Sequence, residues 1–310
     1  MDNVCHTLVG AALAEAGLKR KTALGSATLM IAANVPDLDV ISVPFGHSLG
    51  FRRGITHGVP ALVLLPILLT MIMIGWHRWR GRASDAPNAK WLLLLSTIGI
   101  LTHPFLDWMN TYGMRWLMPL SGRWWYADTL FIVDPWIWLA LGAGAGISSR
   151  RSSLTPARLS LVLTALYIAA MAALAMTSRN GVRDVLTARG ITADTVVLEP
   201  VPANPLRRRV IYHWNSAYHL ADYAVLRREL SEPWFSIRIN QDHPAVARAN
   251  ATPQGREYQS WTRLPYYVID AARDTTWVTM ADARYTVDGR SSWAVARIPV
   301  PPRSRRSEKE

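Results

Sequence analysis

The chain has 310 residues, enough for two domains; it is half hydrophobic and carries a formal charge of +12. Its single cysteine, Cys5, excludes an internal disulfide and any cysteine-rich zinc site. The charge does not imply nucleic acid, because ten of the fourteen Lys and Arg residues before position 178 fall in three short loops, as a membrane topology signal would have it.

The N-terminus has no basic region ahead of its first apolar stretch and no small-residue cleavage site, so no signal peptide is expected. Two short Ala- and Gly-rich segments come first, His6–Gly17 and Thr22–Val35. At about 1.5 Å per residue each covers only about 18–21 Å, and we expect a tight helical hairpin turning at Gly17–Lys21. Four longer apolar segments follow: Gly58–Trp76, Trp91–Leu106, Thr129–Ile147 and Leu159–Met176. The first and last have no charged residue, and about 20 apolar residues cross the roughly 30 Å of hydrocarbon, so all four are expected as transmembrane helices. Buried helices of a large soluble core are the bland alternative, and uncharged runs of this length argue against it.

After Thr177 the composition changes to Arg, Asp, Trp and Tyr alternating with Val and Ile. Arg209–Trp214, Trp234–Ile239, Tyr266–Ile269, Thr276–Met280 and Trp293–Ile298 read as strands, with a tight turn at Val287–Arg290 between the last pair. The expected fold is a mainly α polytopic membrane bundle, a short hairpin plus four spans, followed by a small antiparallel β-rich soluble domain of five or six strands. The expected boundaries are 1–177 for the membrane domain and 178–300 for the β-rich domain, with 301–310 as a disordered, charged tail.

The basic loops are Lys19–Lys21, Arg78/Arg80/Arg82/Lys90 and Arg150/Arg151/Arg158; the alternate loops carry only Arg52, Arg53, Arg115 and Arg123. Placing the basic loops in the cytoplasm puts the N-terminus, Pro36–His57, Asp107–Asp128 and everything after Thr177 outside a bacterial inner membrane. His6, Asp37, Asp39, His57, His103 and Asp107 then share the outer face, while His77 falls inside.

These residues have metal-ligand chemistry. In Thr102-His103-Pro104-Phe105-Leu106-Asp107 an imidazole and a carboxylate at i and i+4 share one helix face, with Pro104 marking a kink or a helix start. The alternative is a buried polar pair, but ionisable groups within apolar spans are costly and usually functional. In Asn34-Val35-Pro36-Asp37-Leu38-Asp39, Pro36 ends the preceding helix and leaves two carboxylates on an extended turn; a cap plus a solvated acid is the alternative. His57 opens the longest apolar run. Beside it, Arg53 suits an anionic substrate, or else a lipid headgroup. His6 gains weight only from its company. Asp134, one turn into an apolar segment, is a candidate base or ligand, or equally a buried carboxylate bonded to a neighbouring helix. His47, His213, His219 and His243 have no spacing logic.

The ligand set is therefore His6, Asp37, His57, His103 and Asp107, with Asp39 as ligand or base, Asp134 as base or ligand and Arg53 as anion clamp. Such a hard-to-borderline set suits one or two divalent ions, zinc first, then manganese or iron. With no Ser- or Cys-centred elbow and no phosphate loop, hydrolysis by metal-activated water is the simplest chemistry. A metal transporter or sensor would use the same ligands but needs polar groups running through the bilayer, which Gly58–Trp76 and Leu159–Met176 do not offer. A non-catalytic scaffold is the third reading. Membrane lipids and a small-molecule or lipid substrate are the expected partners, with no nucleic acid.

His6, Pro36-Asp37-Leu38-Asp39, Arg53-Gly54-Ile55-Thr56-His57, His103-Pro104-Phe105-Leu106-Asp107 and Phe131-Ile132-Val133-Asp134-Pro135, in this order, resemble the YdjM-type membrane-bound metal-dependent hydrolases across about the first 180 residues. Pro202-Ala203-Asn204-Pro205, Trp261–Tyr267 and Asp282–Tyr285 extend the resemblance into the tail. A frequent His-Arg-Gly pattern of that family is here Arg52-Arg53-Gly54, so one extra polar ligand is absent. The resemblance implies a metal site and a hydrolase, but no substrate. More remotely, scattered His and Asp with an H-x-x-x-D resemble zinc-dependent phospholipase C and related nucleases, which would imply a phosphodiester.

Overall fold

A computed structural model describes residues 1–45, 52–81, 86–272, 274–291 and 293–301 of the chain. His47 and the proposed tail beyond Pro301 lie outside the described residues. The chain clusters into two compact units, Met1–Thr177 with Glu199–Arg207, and Ser178–Leu198 with Arg208–Glu310.

The first unit is helical. Its helices are α1 (Asn3–Glu15), α2 (Gly25–Ala32), α3 (Val59–Trp79), α4 (Ala89–Trp108), α5 (Pro135–Arg151) and α6 (Thr155–Ala188), with 3₁₀ turns at Leu18–Lys21 and Val35–Phe45. Among the described residues, three helices rather than four are long and apolar enough to cross a membrane: α3, α4 and α6. The expected span Thr129–Ile147 falls short because its helix starts late. Asp134 caps it through Trp136 N and Ile137 N, Pro135 opens it, and the 17 residues that follow fall below the about 20 needed. Large apolar side chains stand exposed along α3 (Val63, Leu64, Met71) and α6 (Leu159, Val162, Leu166), the surface a lipid-facing helix presents.

Small residues set the packing. A Cβ on Gly99 of α4 would lie 2.5 Å from the Ala32 Cβ and 3.1 Å from the Leu29 carbonyl oxygen, so α2 and α4 approach at backbone distance. Around this contact Ala32, Leu69, Met73, Leu92 and Ile100 are buried together. A second core joins Cys5, Val9 and Ala12 of α1 to Ile137 and Leu141 of α5, Leu106 of α4 and Met171 of α6.

Two local expectations are corrected. Asp37 and Asp39 lie on the 3₁₀ run Val35–Phe45, not on an extended turn, since the fixed φ of Pro36 suits a tight helix and Asp37 N donates to Asn34 O at 3.1 Å. Of the two readings of Pro104, a kink or a helix start, the start is excluded, because α4 begins at Ala89 and continues through Pro104 to Trp108.

The second unit holds more β-structure than the sequence suggests. Strands β1 (Thr195–Val201), β2 (Asn204–Trp214), β3 (Ala217–Ala224), β4 (Glu229–Leu230) and β5 (Phe235–Arg238) form a five-stranded sheet, of which Glu199–Arg207, at the β1–β2 turn, clusters with the first unit. Strands β6 (Pro265–Ala271), β7 (Thr276–Asp282) and β8 (Val295–Val300) form an antiparallel three-stranded sheet, with α7 (Pro244–Asn250) and α8 (Pro253–Trp261) before it. The turn at Val287–Arg290 does not join strands directly. It sits inside the longer β7–β8 connection, where Tyr285 stacks on Trp261 and meets Trp293 edge-on. The fully buried Asp282 accepts from Thr262 Oγ1, Arg263 N and Leu264 N, and from the Arg284 guanidinium at 2.9 Å.

Candidate metal centre

Four ligand atoms converge. One each from Asp37, His57, His103 and Asp107, all buried, lie within 4.8 Å of one another. His57 Nε2 is 3.2 Å from His103 Nε2, 3.6 Å from Asp107 Oδ2 and 4.0 Å from Asp37 Oδ1. His103 Nε2 is 3.5 Å from Asp107 Oδ2 and 3.7 Å from Asp37 Oδ1. Donors bound tetrahedrally to one ion at about 2.0–2.2 Å stand about 3.3–3.6 Å apart, so these separations suit a shared cation.

Local structure explains the convergence. His103 and Asp107 meet because one helical turn of α4 separates them. Asp37 and Asp39 diverge because two residues turn through about 240° on a 3₁₀ helix: Asp37 faces the cluster and Asp39 turns behind His57. His57 sits in the turn before α3, held by His57 N to Gly54 O at 3.0 Å. The next residue must be glycine, since a Cβ on Gly58 would lie 2.2 Å from Met118 O.

The outer nitrogens of both imidazoles are engaged. His103 Nδ1 lies 2.7 Å from Ala33 O, and a carbonyl can only accept, so Nδ1 carries the proton. His57 Nδ1 lies 3.0 Å from Thr56 Oγ1 and 3.6 Å from Asp39 Oδ2. Metal-ligating histidines are generally oriented this way, with the far nitrogen held by a carbonyl or carboxylate. His6 stands beside the four. Its ring stacks on His103 with centroids 3.8 Å apart, and its Nε2 is 3.3 Å from Asp107 Oδ1. His6 Nδ1 is buried with no hydrogen-bond partner among the described residues, a free lone pair that fits a site built for a cation. The Met1 amino group also contacts Asp107.

Two arginines balance the acids. Arg53 is buried; its Nε lies 2.9 Å from Asp107 Oδ2 and its Nη2 donates to Asp107 Oδ1 at 3.1 Å. Arg53 Nη1 reaches Asn110 Oδ1 at 3.0 Å and Gly113 O at 2.9 Å, and its face lies over Tyr112. Arg53 N also donates to Asp39 Oδ2 at 2.6 Å. Arg52 spans Asp39 Oδ1 at 2.7 Å and Asp37 Oδ1 at 3.4 Å.

The protonation tendencies follow from burial and these partners. Burial pushes the Asp37 carboxyl up, but the hydrogen bond and charge of His103 outweigh it and bring it down to about 2. Burial raises Asp39 despite His57 and Arg52, and burial lowers His57 despite Asp107. Burial thus favours the neutral form of His57, and the His103 partner favours the ionised form of Asp37.

Among the residues read from the sequence, Asp37, His57, His103 and Asp107 form the cluster, and His6 and Asp39 adjoin it. Asp134 is committed elsewhere: Oδ1 caps α5 and Oδ2 accepts from Tyr167 Oη at 3.0 Å. Arg52, read as a loop charge standing where the family pattern has a histidine, reaches the site. So do Asn110 and the Ala33 carbonyl, which no sequence signal marks.

The family model described as YdjM inner membrane protein matches residues 1–178, more than half of the chain, and the chain belongs to that family. It is similar to inner membrane protein YbcI of Escherichia coli (strain K12), 33% identical over 103 residues, covering 32% of this chain and 55% of that protein. It is also similar to uncharacterized protein YfhP of Bacillus subtilis (strain 168), 23% identical over 152 residues, 45% of this chain and 44% of that protein. The chain thus spans about half the length of the curated relatives it matches. No solved structure matches. Family membership and the apolar helices make this an inner membrane protein.

Proposed function

We propose that this member of the YdjM family is a membrane-bound metal-dependent hydrolase acting on a phosphodiester or lipid-type ester. The observation that carries the proposal is the convergence of Asp37, His57, His103 and Asp107, all buried, on a common point within a helical unit of membrane-spanning character. Arg52, Arg53 and the Met1 amino group offset part of the cost of burying three carboxylates and three imidazoles, and a shared cation would offset more of it.

Asp37, His57, His103 and Asp107 would hold the ion, zinc first and manganese or iron next, with His6 as the outlying ligand beside Asp107. A divalent ion supplies an acidified water and polarises the ester oxygen it contacts. The chain's own residues do the rest. Ala33 O and Thr56 Oγ1 fix the ring orientations of His103 and His57. Arg53 orients Asp107 through paired contacts to both its oxygens. Asp39, 3.6 Å from His57 Nδ1, would serve as the base beside the ligand set. Asp134 is left out of the chemistry because capping and Tyr167 occupy its oxygens.

We further propose that the centre and the β-rich unit face outside the cytoplasm, supported by the three basic loops. The functional reading is tested by elemental analysis of the detergent-purified protein beside a folded His103→Ala/Asp107→Ala variant. One or two equivalents of metal, lost in the variant, uphold the reading and open a screen of phosphodiesters and lipid esters. No metal in either, even after reconstitution, leaves the histidines as packing residues.

A further inference from the structure

The sequence suggests Arg53 as the group that meets an anionic substrate, yet the geometry points to its neighbour. Arg53 keeps 6% of its side-chain surface, and its guanidinium is committed to Asp107, Asn110 and Gly113. To receive a substrate it would have to abandon Asp107. The Arg52 side chain keeps 24%, against 7% for Asp37 and 3% for Asp39, so it forms the open edge of the cluster.

We propose that Arg52 binds the anionic phosphoryl group of the substrate at this centre; this rests on the metal-dependent reading above. Three observations support it. Arg52 Nη2 reaches Asp37 Oδ1 at 3.4 Å, and that same oxygen lies 3.7 Å from His103 Nε2, so the guanidinium is one carboxylate removed from the ligand cluster. The Arg52 backbone is anchored, because Arg115 Nη2 donates to Arg52 O at 2.9 Å, so the head can turn without moving the loop. The contact to Asp37 is longer than the one to Asp39, and once Asp37 Oδ1 serves as a ligand it becomes a poorer acceptor for Nη2. The fork then has donors for an incoming oxyanion while Nη1 stays on Asp39, and a planar guanidinium matches two oxygens of a phosphoryl group. A fixed positive charge beside the reacting centre favours a phosphoester, which is anionic in its ground state, over a carboxylic ester, which is not.

The test measures binding of inorganic phosphate by calorimetry to zinc-loaded, detergent-purified protein, with metal content and thermal unfolding recorded alongside. Arg52→Gln should weaken phosphate binding about tenfold or more, with metal content and unfolding unchanged. Arg52→Lys, which keeps the charge but loses the fork, should fall between. Unchanged phosphate binding in Arg52→Gln overturns the assignment, as does a metal-loaded wild type that binds no phosphate. Loss of metal in Arg52→Gln also overturns it, making Arg52 part of the ligand scaffold. A wild type that holds no metal overturns the functional reading itself, so the two failures are distinguishable. Phosphatidylglycerol in mixed micelles then sorts the source: displacement of phosphate supports a lipid headgroup, and no displacement a soluble phosphoester.

Discussion

His103 Nδ1 lies 2.7 Å from the carbonyl oxygen of Ala33, a residue seventy positions earlier in the chain. That hydrogen bond settles which imidazole nitrogen faces the acidic cluster, and it exists only because α2 lies directly on α4 at Gly99. The precision of the centre therefore depends on a helix contact that contributes no ligand.

Gly99→Val should weaken metal binding without touching a ligand. Its Cβ would overlap the Ala32 Cβ, push α2 outward and carry Ala33 O away from His103. Loss of such an orienting partner typically costs about 10–100-fold in metal affinity. Competition with a chromogenic chelator would measure it, and an unchanged affinity would separate the helix contact from the centre.

Chelation should destabilise the protein. With the ion removed, the carboxylates and imidazoles stay buried with less compensation, whereas metal at about 1,000 times its Kd adds about 4 kcal/mol. The unfolding temperature of the purified protein should therefore fall on chelator treatment and recover on zinc addition. His103→Ala/Asp107→Ala should show neither response.

The β-rich unit has its own pH dependence. Burial pushes the Asp282 carboxyl up, but Arg284 and the backbone donors around it pull it down to about 2, below its ordinary 3.8. A depressed carboxylate stabilises the fold above its unfolded pKa, so the contribution is fully present above about pH 4 and is lost as the pH falls toward 2. A depression of about two units corresponds to roughly 2–3 kcal/mol. Denaturant unfolding of the full chain, followed through its β-sheet infrared band, should show that loss. Asp282→Asn should be destabilised already at pH 7, by about 3–5 kcal/mol, because it strands the buried Arg284.

Orientation is open to labelling. In a Cys5→Ser background, Leu120→Cys and Leu226→Cys place thiols at exposed positions on the side expected outside, and Ser152→Cys places one in a basic loop. A membrane-impermeant maleimide applied to intact cells should label the first two and spare the third. The reverse pattern would invert the proposed topology.

The sequence by itself determined the two-part organisation, the membrane character of the first part and the His and Asp residues that meet in the cluster. Each of these is written locally: uncharged runs of span length, a shift to alternating aromatic and β-branched residues, and His or Asp at the ends of apolar segments. The i, i+4 spacing of His103 and Asp107 was enough to place them on one face. What only the tertiary structure decided is where side chains point and which backbone groups meet them. Asp39 turned behind His57 because the chain there is a 3₁₀ helix, and Asp134 became a cap because α5 begins at Pro135. Arg53 went inward to Asp107 and Arg52 stayed at the edge, although the two are adjacent in sequence. Such choices depend on helix contacts and carbonyl partners that lie tens of residues away, and no local pattern encodes them.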